Sequence, residues 1–115
     1  IVLFTPPPLD EQAYAEYKNM VESTRKNGSA RKYGDKGKEL ALQVNCTVLD
    51  TWQLLDGENS HRYSSFLIDG LHLNEQGNIL IFHGLMNLIE SLYPHLVPKV
   101  DGGIPIDEKQ WHEYD

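Results

Sequence analysis

The sequence is short of cysteine, of positive charge and of long apolar runs, and each shortage excludes something. Its single cysteine, Cys46, cannot form an internal disulfide. Set in an apolar stretch, that thiol reads as buried and inert. No apolar run approaches the roughly 20 residues a membrane-spanning helix needs, so no span is expected. Ten Lys and Arg against 17 Asp and Glu leave a net charge of −7. That balance argues against nucleic acid or an anionic membrane as a main partner. The histidines, His61, His72, His83, His95 and His112, form no ligand spacing, with no H-E-x-x-H and no cysteine pair, so no metal is expected. No glycine-rich phosphate loop occurs. Ser60, Ser64 and Ser65 lack the G-x-S-x-G or Gly-Asp-Ser setting that puts a nucleophilic hydroxyl on a sharp, exposed turn.

What the chain does have is an alternation of apolar runs and helical stretches. Its 115 residues suffice for one domain with a single core. Ile1–Phe4 is a continuous apolar run, the pattern of a strand covered on both faces of a parallel sheet, and Thr5-Pro6-Pro7-Pro8 ends it by withdrawing backbone donors. A central strand opening on the first residue reads as part of a larger fold. A helix is predicted over Asp10–Glu22, with Tyr14, Tyr17 and Val21 on one face. Ser23–Gly37 carries three glycines together with Arg25, Lys26, Arg31, Lys32 and Lys36, and Lys38 follows. It reads as a mobile loop, either solvated or a basic patch for an anionic substrate. Lys38–Gln43 reads as a helix end and Val44–Asp50 as a second strand. Asp50 then either caps the turn Thr51–Leu55 or faces a cleft at the strand edge. From Asn74 a helix is predicted to about Tyr93, its core face formed by Ile79, Phe82, Met86, Ile89 and Tyr93, with Pro94 as its stop. Residues 97–115 are irregular, with Trp111 as their anchor, and are expected to fold back onto the body. The order of elements is that of an α/β protein.

The most informative stretch is Asp69-Gly70-Leu71-His72-Leu73-Asn74-Glu75-Gln76-Gly77-Asn78. An acid and a histidine stand three positions apart in a turn just ahead of an apolar helix. A histidine acting as general base needs a carboxylate on its Nδ1–H, which fixes the tautomer and stabilises the imidazolium formed during attack. A D-x-x-H turn can supply that contact locally, with Gly70 giving the backbone the freedom to bring the two side chains together. The same residues also fit a plainer reading, in which Asp69 caps the turn and His72 is a surface imidazole.

Asp-Gly-Leu-His-Leu followed by Gly77 resembles the last conserved block of the SGNH/GDSL hydrolases. Together with Ile1–Pro8 and Leu9-Asp10-Glu11, it resembles the isoamyl acetate-hydrolysing esterase branch of that family. The resemblance implies a three-layer α/β/α sandwich of flavodoxin-like type, with residues 1–96 its C-terminal part and 97–115 a tail. It implies a carboxylic ester hydrolase acting on small, short-chain acyl esters, without a cofactor and compatible with a homo-oligomer. His72 would be the base, Asp69 its orienting partner, and Leu71 and Leu73 would either line the acyl side of the site or pack into the core. In such a family the nucleophile lies in a Gly-Asp-Ser block, and the oxyanion hole takes that serine's N–H with a glycine and an asparagine from two further blocks. None of these stands in this chain, so the serine is expected in an N-terminal part beyond the 115 residues. Two other classes stay open: a binding or pseudo-enzyme domain of the same fold, and an interaction module using the basic segment and the Trp111 tail.

Overall fold

The computed structural model describes residues 1–97, which fall into two compact units, residues 1–85 and residues from 86 onward. The tail from residue 98, with Trp111, lies outside the described residues. Strands β1 (Val2–Phe4) and β2 (Thr47–Leu49) pair in parallel, in the register Val2 to Thr47, Leu3 to Val48 and Phe4 to Leu49. A parallel pair needs a long crossover. Here it contains α1 (Glu11–Tyr17) and α2 (Asn27–Gln43). Short helices α3 (Thr51–Leu54) and α4 (Ser60–Tyr63), a 3₁₀ turn at Ser64–Phe66 and α5 (Glu75–Leu92) follow. The architecture is mixed α/β with a small parallel sheet, and β1 is less covered than its apolar run predicts, with Phe4 exposed.

The crossover departs most from the sequence reading. α1 stops at Tyr17 rather than Glu22, because Asn19 turns left-handed at φ 55°, and Tyr17 and Val21 stand exposed. The segment read as a mobile loop is instead largely α2, a helix of 17 residues. Of the glycines in it, Gly34 is a close-approach position and Gly37 makes an ordinary contact. A Cβ on Gly34 would sit 3.3 Å from that of Thr5, and one on Gly37 would sit 3.5 Å from Leu3 Cδ2. They let α2 lie against the end of β1, while Ala30, Arg31, Lys32, Lys36, Lys38, Glu39, Leu40 and Ala41 supply ordinary helix propensity.

The second strand is also shorter than predicted. Val44 caps α2, Asn45 turns left-handed at φ 56°, and the ladder starts at Thr47. Cys46 is half-buried rather than buried, its thiol donating to the Ile1 carbonyl at 3.4 Å.

The core of the first unit gathers Leu55, Tyr63 and Leu67, with Leu54, Phe66, Leu73, Leu80 and Ile81 packed against them. α5 therefore presents Leu80 and Ile81 inward, whereas Ile79 is 41% and Phe82 58% exposed. This corrects the predicted stripe at Ile79 and Phe82, whereas Met86, Ile89 and Tyr93 are half-buried. The helix phase is set by two glycines seven apart, two turns of helix. A Cβ on Gly77 would sit 2.5 Å from the Phe66 carbonyl oxygen, and one on Gly84 would sit 2.6 Å from Leu54 Cδ2. Asn74 caps the helix, its Oδ1 accepting from Gly77 N–H at 2.9 Å. In the second unit α5 ends at Leu92, and Pro94 opens a 3₁₀ turn, Pro94–Leu96, in place of further helix.

Candidate active site

The Asp69–His72 turn is closed by backbone before any side chain acts. Leu67 and Leu73 form an isolated antiparallel bridge. Ile68 N–H donates to the His72 carbonyl at 2.8 Å, and Asn74 N–H to that of Phe66 at 2.9 Å. Within the loop, Asp69 Oδ1 accepts from Leu71 N–H at 2.9 Å and from His72 N–H at 2.8 Å. Its other oxygen, Oδ2, lies 2.7 Å from His72 Nδ1. One carboxylate thus folds the turn with one oxygen and holds the imidazole with the other.

Sequence reasoning found this pair but not its anchor. Asp10 N–H donates to the Gly70 carbonyl at 2.8 Å, Asp10 Oδ1 caps α1 by accepting from Ala13 N–H at 3.1 Å, and Asp10 Oδ2 accepts from Ser64 Oγ at 2.6 Å. The anchor joins Asp10 to Ser64 and Gly70, 54 and 60 positions further along the chain, and the only hint in the sequence is the acidic start of α1.

The two partners differ sharply in exposure. The Asp69 side chain is 9% exposed and the His72 side chain 72%. Hydrogen bonds from the His72 N–H, from the His72 ring and from the Leu71 N–H hold the Asp69 carboxyl far below its ordinary range. An ionised carboxylate only accepts, so the facing Nδ1 carries the hydrogen and donates. Nε2 is left as the lone-pair nitrogen of the neutral ring. Among the described residues, the Asp69 carboxylate is the side-chain partner of the His72 ring.

The lowered pKa fixes a pH dependence. A carboxyl with a folded pKa below its unfolded one binds fewer protons when folded. Its contribution is complete above the ordinary carboxylate value, near pH 4, and is lost as pH falls from there toward the lowered value. Asp69→Asn in the full-length protein is accordingly expected to be less stable at neutral pH and to lose stability less steeply on acidification. Melting temperatures across the acid range check this, and an acid slope equal to that of the wild type would count against Asp69 as the titrating group.

Of the two leucines beside the histidine, Leu71 lines an open cavity and Leu73 packs into the core. Ser64 is engaged with Asp10, and Ser65 Oγ donates to the Arg62 carbonyl at 2.6 Å. Asp50 caps α3 by accepting from Gln53 N–H at 3.0 Å, as the capping reading expects. It also accepts from Lys38 at 3.0 Å and from Thr5 Oγ1 at 3.2 Å. Burial raises its pKa, but the Gln53 N–H and the Lys38 ammonium outweigh that and leave it below the ordinary value. The basic segment is largely neutralised: Lys26 meets Glu11 and Glu22, Arg31 meets Glu58, Lys36 meets Glu39, and Lys38 meets Asp35 and Asp50. Among the described residues, no group of three or more His, Cys, Asp or Glu could hold a metal ion, and no helix is long and apolar enough to cross a membrane.

No family model matches the chain. It is 36% identical over 105 residues to an isoamyl acetate-hydrolyzing esterase 1 homolog of Bos taurus, a match covering 85% of this chain and 41% of the relative. The homolog of the same name in Homo sapiens is 36% identical over 103 residues, with the same coverage. A GDSL esterase/lipase of Arabidopsis thaliana is 36% identical over 89 residues, 71% of this chain and 36% of the relative. The chain therefore spans about two fifths of the length of the mammalian relatives it matches.

Proposed function

We propose that this chain, which belongs to the SGNH/GDSL hydrolase family and corresponds to its C-terminal portion, carries the base half of a serine carboxylesterase for short-chain acyl esters. The observation that carries the proposal is the 2.7 Å contact from Asp69 Oδ2 to His72 Nδ1, on a histidine otherwise open to solvent. The fold of the whole domain would be a three-layer α/β/α sandwich, with residues 1–96 its C-terminal part and 97–115 a tail. The parallel pairing of β1 with β2 across a helical crossover fits that architecture.

The mechanism is acyl transfer to a serine hydroxyl supplied from outside these residues. His72 Nε2 takes the serine proton as Oγ attacks the ester carbonyl. The tetrahedral intermediate collapses with cleavage of the acyl–oxygen bond, and His72 returns the proton to the departing alcohol oxygen. Water, deprotonated by the same nitrogen, then releases the carboxylic acid and restores the serine. Asp69 stays ionised throughout, holding Nδ1–H and the imidazolium that forms twice per turnover. Proton transfer by a positioned base is worth about 10²–10⁴ in rate.

The engagement of Ser64 with Asp10 and of Ser65 with the Arg62 carbonyl supports a nucleophile elsewhere. The isolated 115-residue chain is therefore expected to leave p-nitrophenyl acetate at the uncatalysed rate, whereas the full-length protein turns it over. Turnover by the isolated chain that disappears in His72→Ala would place the nucleophile within these residues and overturn the proposal. A full-length protein with no esterase activity would favour the pseudo-enzyme reading.

A further inference from the structure

An open cavity of ≈ 300 Å³ lies beside the turn, lined on its apolar side by Pro6, Pro7, Leu9, Ala30, Tyr33 and Leu71. Three separate segments build it. The proline run ending β1 supplies one wall, the first half of α2 another, and the residue next to the histidine the third. The remaining wall, Thr24, Arg25, Lys26 and Ser29, is polar and partly cationic. Its volume lies within the range of small-molecule sites, which are mostly apolar with a few polar groups.

We infer that this cavity holds the alkyl part of the ester's alcohol, so that Leu71 and Ala30 select the leaving group rather than the acyl group. The inference rests on the esterase reading above and deepens it. A catalytic histidine that serves as base and then as acid must stand between the serine oxygen and the departing oxygen. Beyond the reacting atoms, the portion of an ester nearest that ring is the alcohol. Leu71 directly precedes His72, so this wall of the cavity belongs to the same turn as the base. The acyl group, bonded to the serine after the first step, projects from the nucleophile's side. The apolar side of the cavity matches a hydrocarbon chain.

The test uses two substrate series with the full-length protein, one varying the alcohol (ethyl to hexyl acetate) and one varying the acid (ethyl acetate to ethyl hexanoate). Ala30→Leu narrows the cavity from a half-buried helix position where leucine is an acceptable helix former. It is expected to lower the kcat/KM ratio of hexyl to ethyl acetate about tenfold, the scale on which one alkyl group more or less is discriminated. The ratio of ethyl hexanoate to ethyl acetate should not move. Leu71→Ala widens the cavity and should raise the alcohol-series ratio, so the two variants move it in opposite directions even if one folds poorly. A shift confined to the acid series would assign the cavity to the acyl group, and movement in neither series would remove it from the site. Both results overturn the inference while leaving the esterase intact. Absence of His72-dependent hydrolysis of any ester in either series would overturn the parent reading and this assignment together.

Discussion

His72→Ala in the full-length protein is expected to lower kcat/KM for a short-chain ester by at least about 10³-fold, since knocking out the histidine of a comparable serine triad is among the most damaging single changes. The fold should be nearly untouched. The imidazole is 72% exposed, and its removal leaves Asp69 Oδ1 still accepting from the backbone N–H groups of residues 71 and 72. A surface change of this kind is worth within about 0.5 kcal/mol, or roughly 2 °C in a chain of a few hundred residues. Asp69→Asn makes a sharper test. Its Oδ1 can keep both backbone contacts, but an amide NH₂ would then face Nδ1 and donate to it. That moves the ring hydrogen to Nε2 and removes the lone pair that should accept the serine proton. The expected loss is about 10²–10⁴-fold, set by the wrong tautomer rather than by a missing contact. A wild-type rate in His72→Ala would eliminate His72 as the base, and one in Asp69→Asn would eliminate Asp69 as its orienting partner.

The Asp69–His72 contact was legible in the sequence because it is local. Asp69 and His72 stand three positions apart, and a turn through Gly70 is all that joins them. The caps were legible for the same reason, since Asp50 and Asn74 each accept from a backbone N–H three residues on. What was not legible depends on tertiary contact. The glycines of residues 23–37 weighed toward a loop, yet a Cβ on Gly34 would crowd that of Thr5 at 3.3 Å, and the helix runs through it. The inward face of α5 was assigned from its apolar spacing. Leu80 and Ile81 won over Ile79 and Phe82 because Gly77 and Gly84 fix the rotation of the helix against Phe66 and Leu54. The cavity beside Leu71 was invisible because its walls come from residues 6–9, 24–33 and 71, which nothing in linear spacing connects. Leu71 and the basic residues Arg25 and Lys26 carried hints of it, and the sequence alone could not separate Leu71 from Leu73, which went to the core.

Gly70→Ala is expected to destabilise the full-length protein by about 3 kcal/mol, the sum of a left-handed backbone penalty of roughly 1–2 kcal/mol and an overpacking cost of roughly 1–3 kcal/mol. Gly70 has φ +85°, and a Cβ there would lie 2.5 Å from Tyr14 N and 2.6 Å from the Asp10 carbonyl oxygen. Both neighbours are backbone atoms in the first turn of α1, so no side chain can rotate away to make room. The turn and the helix must separate instead. Separation breaks the Asp10 N–H bond to the Gly70 carbonyl and frees the loop that holds Asp69 against His72. Activity should therefore fall together with a drop in Tm of about 10 °C, although Gly70 has no side chain to offer a substrate. Gly28→Ala is the matched control. It lies in α2 with nothing within 4 Å of the added carbon, and there alanine should be neutral or slightly stabilising. Equal losses in the two variants would make the effect a general one of replacing glycine. An unchanged Gly70→Ala protein would mean that the turn is not held against α1, and that the geometry of the pair is set by Asp69 alone.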